Sequence, residues 1–383
     1  CALVFDKTKK AVTFSVEGYE KRAITEPTGE NVIKGAKDAF VEDIRVNTSL
    51  IRRKIKTQNL RIIETKVGMQ TLTKVGVVYI EGLTNKDIVN ELIKRINNID
   101  IDGAVEVGMI EQYIIDDRWS MYPQIMITER SDKFCQNILD GKAGLLIEGI
   151  PSAYIIPASF SMFLQAPEDD STNYVMASVI RMLRYGAYLG SLLIPGFYIA
   201  ITSFHQEMIP TDLAISIIKY KVGVPFPTFF EVFFMLIAFE LLIESGIRLP
   251  QTIGQAISIV GAVVVGQAAV SAKLISPAVI VVVALTGIAG FTMPNQDFSN
   301  GVRIWRFILV LLSAICGMFG VAVGLLVMVY SMAKMETFGV PYLSPFVASD
   351  GREIYKNTFI RIPLFMQKKR PFELKTTNKK RQK

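Results

Sequence analysis

The stretch SIVGAVVVGQAAVSAK (258–273) decides the fold class. It carries no charge before Lys273, and its small residues recur at helical spacing. It sits inside residues 186–333, a succession of apolar segments broken by few charges. A helix crossing the hydrocarbon layer needs about 20 apolar residues at about 1.5 Å each. Small residues let such helices approach closely, so the stretch predicts membrane helices that pack on one another. It reads as two faces. Ser258, Ala262, Gly266 and Ala269 form a small-residue stripe suited to helix packing. Val260, Val263, Gln267 and Ser271 form a second stripe, apolar at one end and polar at the other. In an oligomer this second face would line a pore that its valines close by dewetting; alternatively, Gln267 only hydrogen-bonds across a helix pair.

Working outward, the apolar segments are 186–204, 228–247, 255–272, 276–293 and 304–333. Pro195 predicts a kink in the first. The second is interrupted by Glu231, Glu240 and Glu244. Each carboxylate at mid-bilayer costs about 2.5–3.5 kcal/mol. Glu240, Glu244 and Arg248 lie at i, i+4 and i+8, one ladder on one helix face. Either that ladder fixes the helix at an interface or against a neighbour, or it is a cation-attracting lining or gate element. The soluble N-terminal half and the basic tail both read as cytoplasmic, which requires an even number of crossings. Four full spans with 228–247 re-entrant or interfacial satisfy this; segment lengths equally allow five.

The 383 residues are 50% hydrophobic with a net charge of +7, but these averages hide a division. Residues 1–184 alternate charged and apolar positions as a cytosolic domain does. Residues 185–335 form the membrane part. Residues 336–383 are polar and end in KKRPFELKTTNKKRQK (368–383). A basic flank beside apolar helices reads as cytoplasmic. It lacks the interleaved aromatics of a nucleic-acid-binding module.

In the N-terminal part, 2–5 and 11–16 read as strands, 35–56 as a helix, 59–66 and 71–81 as a strand pair, and 85–98 as an amphipathic helix capped by Asn85. Residues 103–140 read as short helices and a strand around Pro123. Residues 143–167 echo the opening pattern of strand, acidic turn, strand and Pro-containing acidic text. The fold class is therefore mixed: a cytosolic α/β or α+β domain, with two related subdomains as an open alternative, then a helical multi-pass membrane domain and a basic tail. The basic run 51–56 is either a solvated helix face or a contact with anionic lipid headgroups or a neighbouring subunit. The chain begins at Cys1 inside a strand-like run, which predicts a preceding segment.

Cys1, Cys135 and Cys316 have no metal-site spacing, and His205 is the only histidine. No Gly-rich phosphate loop or nucleophile elbow is present. No catalytic residue, metal or cofactor is therefore expected, and an enzyme is the least supported class.

Several long stretches resemble the A subunit of spore germinant receptors, the GerA family. They are RAITEPTGENVIKGAKDAFVEDIRVNTSLIRR (22–53), YPQIMITERSDK (122–133), IPGFYIAITSFHQEMIP (194–210), VPFPTFFEVFFMLIAFELLIESGIRLP (224–250), IGQAISIVGAVVVGQAAVSAKLISPAVIVVVALTGIAGF (253–291), FGVPYLSPF (338–346) and IRIPLFMQKKRP (360–371). Lys273 departs from the small uncharged residue usual there. The resemblance implies a receptor subunit in the spore inner membrane, acting with a permease-like B subunit that binds the nutrient and a lipoprotein C subunit. It also implies self-assembly as a pentamer into a nutrient-gated cation channel that triggers germination. A transporter, or a membrane scaffold that relays the signal without conducting, is the alternative.

Overall fold

A computed structural model of the chain describes residues 2–5, 10–13, 27, 29–30, 32, 34–248, 266–347 and 358–381. Strands β1 (Ala2–Phe5) and β2 (Lys10–Thr13) form an antiparallel hairpin with Ala2 opposite Thr13. Helix α1 (Ile44–Lys54) starts later than the expected residue 35. Asp43 sets that start: its Oδ1 accepts the N–H groups of Arg45 and Val46 at 2.8 and 3.3 Å. These would otherwise be unsatisfied donors of the first turn. Upstream, Ala39 is held in a β-bridge with Arg130 instead.

β3 (Leu60–Val67) and β4 (Thr73–Ile80) follow, then α2 (Lys86–Asn97), capped by Asn85 as expected. Next come α3 (Val107–Ile114), β5 (Met126–Thr128), α4 (Ser131–Leu139), β6 (Ala143–Ile147) and β7 (Ala153–Ile156). Short helices α5 (Phe160–Phe163) and α6 (Glu168–Ser171) lead out. The sheet order is β3-β4-β6-β7-β5, and every neighbouring pair is antiparallel.

Side chains alternate across that sheet. Val78, Leu146 and Ile155 meet Ile44, Leu50, Ile51, Phe134 and Ile138 on one face. Val77, Leu145 and Tyr154 meet Ile88, Leu92, Ile96 and Ile110 on the other. α1 and α4 therefore cover one face and α2 and α3 the other, in three layers. With both faces covered, β6 and β7 are buried at every residue, which is why they read as unbroken apolar runs. At Gly144 a Cβ would fall on the Phe134 ring, so the glycine lets α4 lie close to β6. The two stretches that echo each other in sequence are both antiparallel hairpins, but β1–β2 is its own sheet and β6–β7 sits mid-sheet.

α7 (Tyr174–Phe204) starts on the domain side of the expected 184/185 boundary and runs through it and past Pro195 without a break. It is followed by α8 (Thr211–Lys221), α9 (Thr228–Arg248), a helical turn at 266–271, α10 (Pro277–Phe291) and α11 (Gln296–Lys334). α7 and α11 are long and apolar enough to cross a membrane, and α10 is a shorter apolar helix.

α11 is a hairpin. Gly317 has φ 58° and ψ −137°, outside helical geometry. In a straight helix Gly301 and Met335 would stand about 50 Å apart. Both instead reach the same loop of the N-terminal domain: Gly301 lies against the Met121 carbonyl, and Ser120 Oγ donates to Met335 Sδ at 2.8 Å. Gly324 faces the Leu309 and Leu312 side chains, and Gly320 faces the Leu312 carbonyl. The legs 296–316 and 318–334 thus run antiparallel, each rising about 25–31 Å. Gly196 of α7 lies between them, 3.6 Å by its Cβ position from both Leu309 O and Val321 Cγ2. Phe204, at the far end of α7, packs on the bend. A second cluster joins α9 and α10 to this bundle through Val232, Leu236, Val279, Val283, Ile199 and Val310.

Strands β8 (Glu336–Thr337) and β9 (Val340–Pro341) close the return to the domain. The basic C-terminal segment folds back along it: the N–H of Thr377 donates to Leu83 O at 3.1 Å, and Arg370 Nε donates to Leu139 O at 3.2 Å.

Candidate functional site

Charges inside an apolar bundle are costly, so where they sit and what holds them is informative. Glu240 of α9 faces two arginines of α11. Its Oε2 is 3.4 Å from Arg303 Nη1 and its Oε1 is 3.5 Å from Arg306 Nη1. Arg303 and Arg306 are i, i+3 neighbours, so one helix face presents both. Arg306 is only 2% exposed, and its Nε donates to the Ser191 carbonyl of α7 at 2.8 Å. Gly290 of α10 closes another side; a Cβ there would lie 3.4 Å from Arg306 Nη2. One carboxylate and two guanidinium groups therefore tie α7, α9 and α11 together beneath α10.

Glu231, in the first turn of the same helix, is 1% exposed. Its Oε2 accepts the Ser276 N–H at 2.7 Å, and its Oε1 is 3.6 Å from Lys221 Nζ. Ser276 is the N-cap of α10, so the carboxylate sits at the positive end of that helix. Lys221 also donates to Thr228 Oγ1.

Glu244 lies on the exposed side of α9. Arg248 ends that helix, and its side chain lies outside the described residues, so the expected Glu240–Glu244–Arg248 ladder is described only in part; Glu240 is turned to Arg303 and Arg306. Val260, Val263, Ser258 and Ala262 also lie outside the described residues. Of the rest of the two stripes, Gly266 is buried with Ile280 Cδ1 3.8 Å from its Cβ position, Ala269 is half-buried, and Gln267 and Ser271 are exposed. Lys273 closes this turn with φ 53°.

The arginine partners were missed in the sequence although NGVRIWRF (300–307) carries the signal: two cations on one face at the start of an apolar run. A second missed cluster joins domain to bundle. Asp169, 3% exposed, accepts from Arg184 at 2.9 and 3.0 Å and from Arg181 at 3.3 Å. Arg361 of the C-terminal segment donates to Thr172 O and Asp170 O at 2.8 and 3.1 Å. Around them Phe160, Phe163, Tyr188 and Phe298 pack ring to ring, with Phe163 and Phe298 stacked at 5.7 Å. Among the described residues no group of three or more His, Cys, Asp or Glu side chains is arranged to hold a metal ion.

The family described as Bacillus/Clostridium GerA spore germination protein has a model that matches residues 1–373. The chain belongs to this family. Spore germination protein KA of Bacillus subtilis is 39% identical over 382 residues, 100% of this chain and 70% of that one. An uncharacterized membrane protein of B. subtilis, YfkQ, is 38% identical over 96% of this chain and 72% of its own length. Spore germination protein GerLA of Bacillus cereus is 36% identical over 98% and 76%. The crystal structure of the N-terminal domain of the A subunit of the Bacillus megaterium spore germinant receptor GerK3 is 41% identical, covers 32% of this chain and 97% of that one, and has a TM-score of 0.27.

Proposed function

We propose that this GerA-family chain is the A subunit of a germinant receptor in the spore inner membrane, where it works with a permease-like B subunit and a lipoprotein C subunit. The observation that carries this reading is the family match across residues 1–373. The proposal includes a multi-pass arrangement. α7, α9, α10 and the two legs of α11 supply its apolar helices, and the bundle returns to the N-terminal domain through Met335. It also includes pentameric self-assembly into a nutrient-gated cation channel, with Val260, Val263, Gln267 and Ser271 as the pore face. The outward position of Gln267 and Ser271 supports that face, because an exposed polar stripe needs water or another subunit. Planar-bilayer recording of the reconstituted complex tests conduction. A nutrient-dependent cation current is expected, and its absence rejects the channel. Val263→Ser is expected to leak without nutrient.

A second reading, a scaffold that relays the signal without conducting, is favoured by the engagement of Glu231 and Glu240 in helix-to-helix contacts. On that reading Glu240→Gln changes subunit assembly and leaves ion flux untouched, whereas a change in flux at unchanged assembly favours the channel.

A further inference from the structure

Between the N-terminal domain and the C-terminal segment lies a cavity of about 330 Å³, within the range of small-ligand sites. One wall comes from α4, the turn between α4 and β6, and the residues after β7; the other comes from residues 358–381. Most charges on these walls are already matched. Asp140 is held by Arg381 at 2.8 Å, Asp170 by Arg361 at 3.4 Å, and Lys133 by Glu30 at 2.7 Å. Lys142 is different. It is 7% exposed and lines the cavity, and among the described residues its ammonium group has no carboxylate within 4 Å; its one hydrogen-bond acceptor is the thioether of Met162. A sulfur is a weak acceptor for a buried cation, which costs several kcal/mol to bury unless a strong partner compensates. Burial brings this amine down to about 8, against the opposing pull of Asp140 and Glu373. On the facing wall Lys369 is exposed and also without an ion pair among the described residues.

We propose that this cavity binds a small soluble oxyanion, a carboxylate or phosphate, between Lys142 of the domain and Lys369 of the C-terminal segment, and that the bound anion clamps that segment to the domain. The anion supplies the acceptor that Lys142 lacks. Glu373, which shares the wall, disfavours polyanions and favours a ligand that brings its own hydrogen-bond donors. The clamp follows from geometry, because the two cations sit on separate chain segments, on opposite walls of this cavity.

The full chain in a zwitterionic detergent would be titrated with inorganic phosphate or acetate at constant ionic strength. The readout is chymotryptic cleavage after Phe365 and Phe372, both exposed on the C-terminal segment. A ligand that binds only the closed form at ten times its dissociation constant lowers the open population about tenfold, and cleavage is expected to slow by that factor. Lys142→Met is expected to remove the protection. Lys369→Met, at an exposed position that does not threaten folding, is expected to weaken protection as well. The proposal is overturned if neither anion slows cleavage, if both variants remain as protected as the parent chain, or if protection comes only from phosphatidylglycerol vesicles, which would make the ligand a lipid headgroup.

Discussion

Replacing Gly320 with alanine separates a hairpin from a continuous helix. In a straight helix through 296–334, Gly320→Ala gains about 0.5–1 kcal/mol, because alanine loses less backbone entropy than glycine. In the hairpin the new Cβ falls on the Leu312 carbonyl oxygen, eight residues earlier, and lies 3.1 Å from Cys316 Cβ. The obstacle is backbone, which cannot rotate away as a side chain can. Overpacking of this kind costs about 1–3 kcal/mol, leaving a net loss of up to about 2.5 kcal/mol after the propensity gain. Gly186 in α7 is the control, since a Cβ there meets nothing within 4 Å and the same substitution should stabilise. Unfolding of the purified chain in mixed micelles titrated with SDS measures both. Gly320→Ala is expected to unfold at lower SDS than the parent and Gly186→Ala at higher. If Gly320→Ala is as stable as Gly186→Ala, the two legs do not face each other and the hairpin is wrong.

Glu240→Leu leaves Arg306 buried without its carboxylate and is expected to cost about 3–5 kcal/mol in the same assay. Replacing Arg303 and Arg306 with leucine together with Glu240 should cost far less, and equal losses would mean that the three charges do not act as a unit. Glu111 is pushed up to about 7, first by burial and then by the Asp297 charge. A carboxylate raised in the folded state binds extra protons there, so this group's contribution to stability is lost as pH rises from about 4.5 to about 7. Glu111→Gln is expected to flatten the stability profile across that window, and an unchanged slope counts against the assignment. Burial pushes the Cys135 thiol up to about 12, whereas Cys316 is exposed beside the hairpin bend. In a Cys1→Ser chain reconstituted in vesicles, an impermeant maleimide should therefore label Cys316 alone, and only from the side opposite the N-terminal domain. Labelling from the domain side would place the bend on the wrong surface.

Elements that local chemistry specifies were legible in the sequence. Asn85 announced α2, and alternation and apolar runs gave β3, β4, β6 and β7, because each signal lies within one segment. The start of α1 was misplaced because Ala36 and Phe40 continue the helical apolar spacing, while Asp43 and the Ala39–Arg130 bridge decide otherwise. The hairpin was hidden for a related reason. Cys316, Gly317, Gly320 and Gly324 all fall within the apolar segment 304–333, but glycine is common in membrane helices and marks a packing face as readily as a bend. Only the facing leg tells the two apart. In the same way the ladder reading of Glu240 used neighbours on its own helix, whereas its partners Arg303 and Arg306 come from another.

That difference bears on how a signal would cross this molecule. The domain and the bundle are not joined by a flexible linker. α7 is continuous from Tyr174, so its first turns, held at Asp169 by Arg181 and Arg184, and its later turns at Ser191 belong to one rod. Ser191 is the residue whose carbonyl holds Arg306, and Arg306 pairs with Glu240. A rotation of the domain about the Asp169 cluster must therefore either turn α7 against α9 and α11 or break a buried pair, and packed helices prefer discrete arrangements to continuous deformation. The C-terminal segment grips the same cluster through Arg361, at Thr172 and Asp170. Anything that tightens or releases that segment acts on the end of the rod, which makes Arg361, rather than the charges deeper in the bundle, the position where domain and bundle are most directly uncoupled. Arg361→Ala should loosen the C-terminal segment and α7 together, and loosening of the segment alone, with α7 amide exchange unchanged, would refute the coupling.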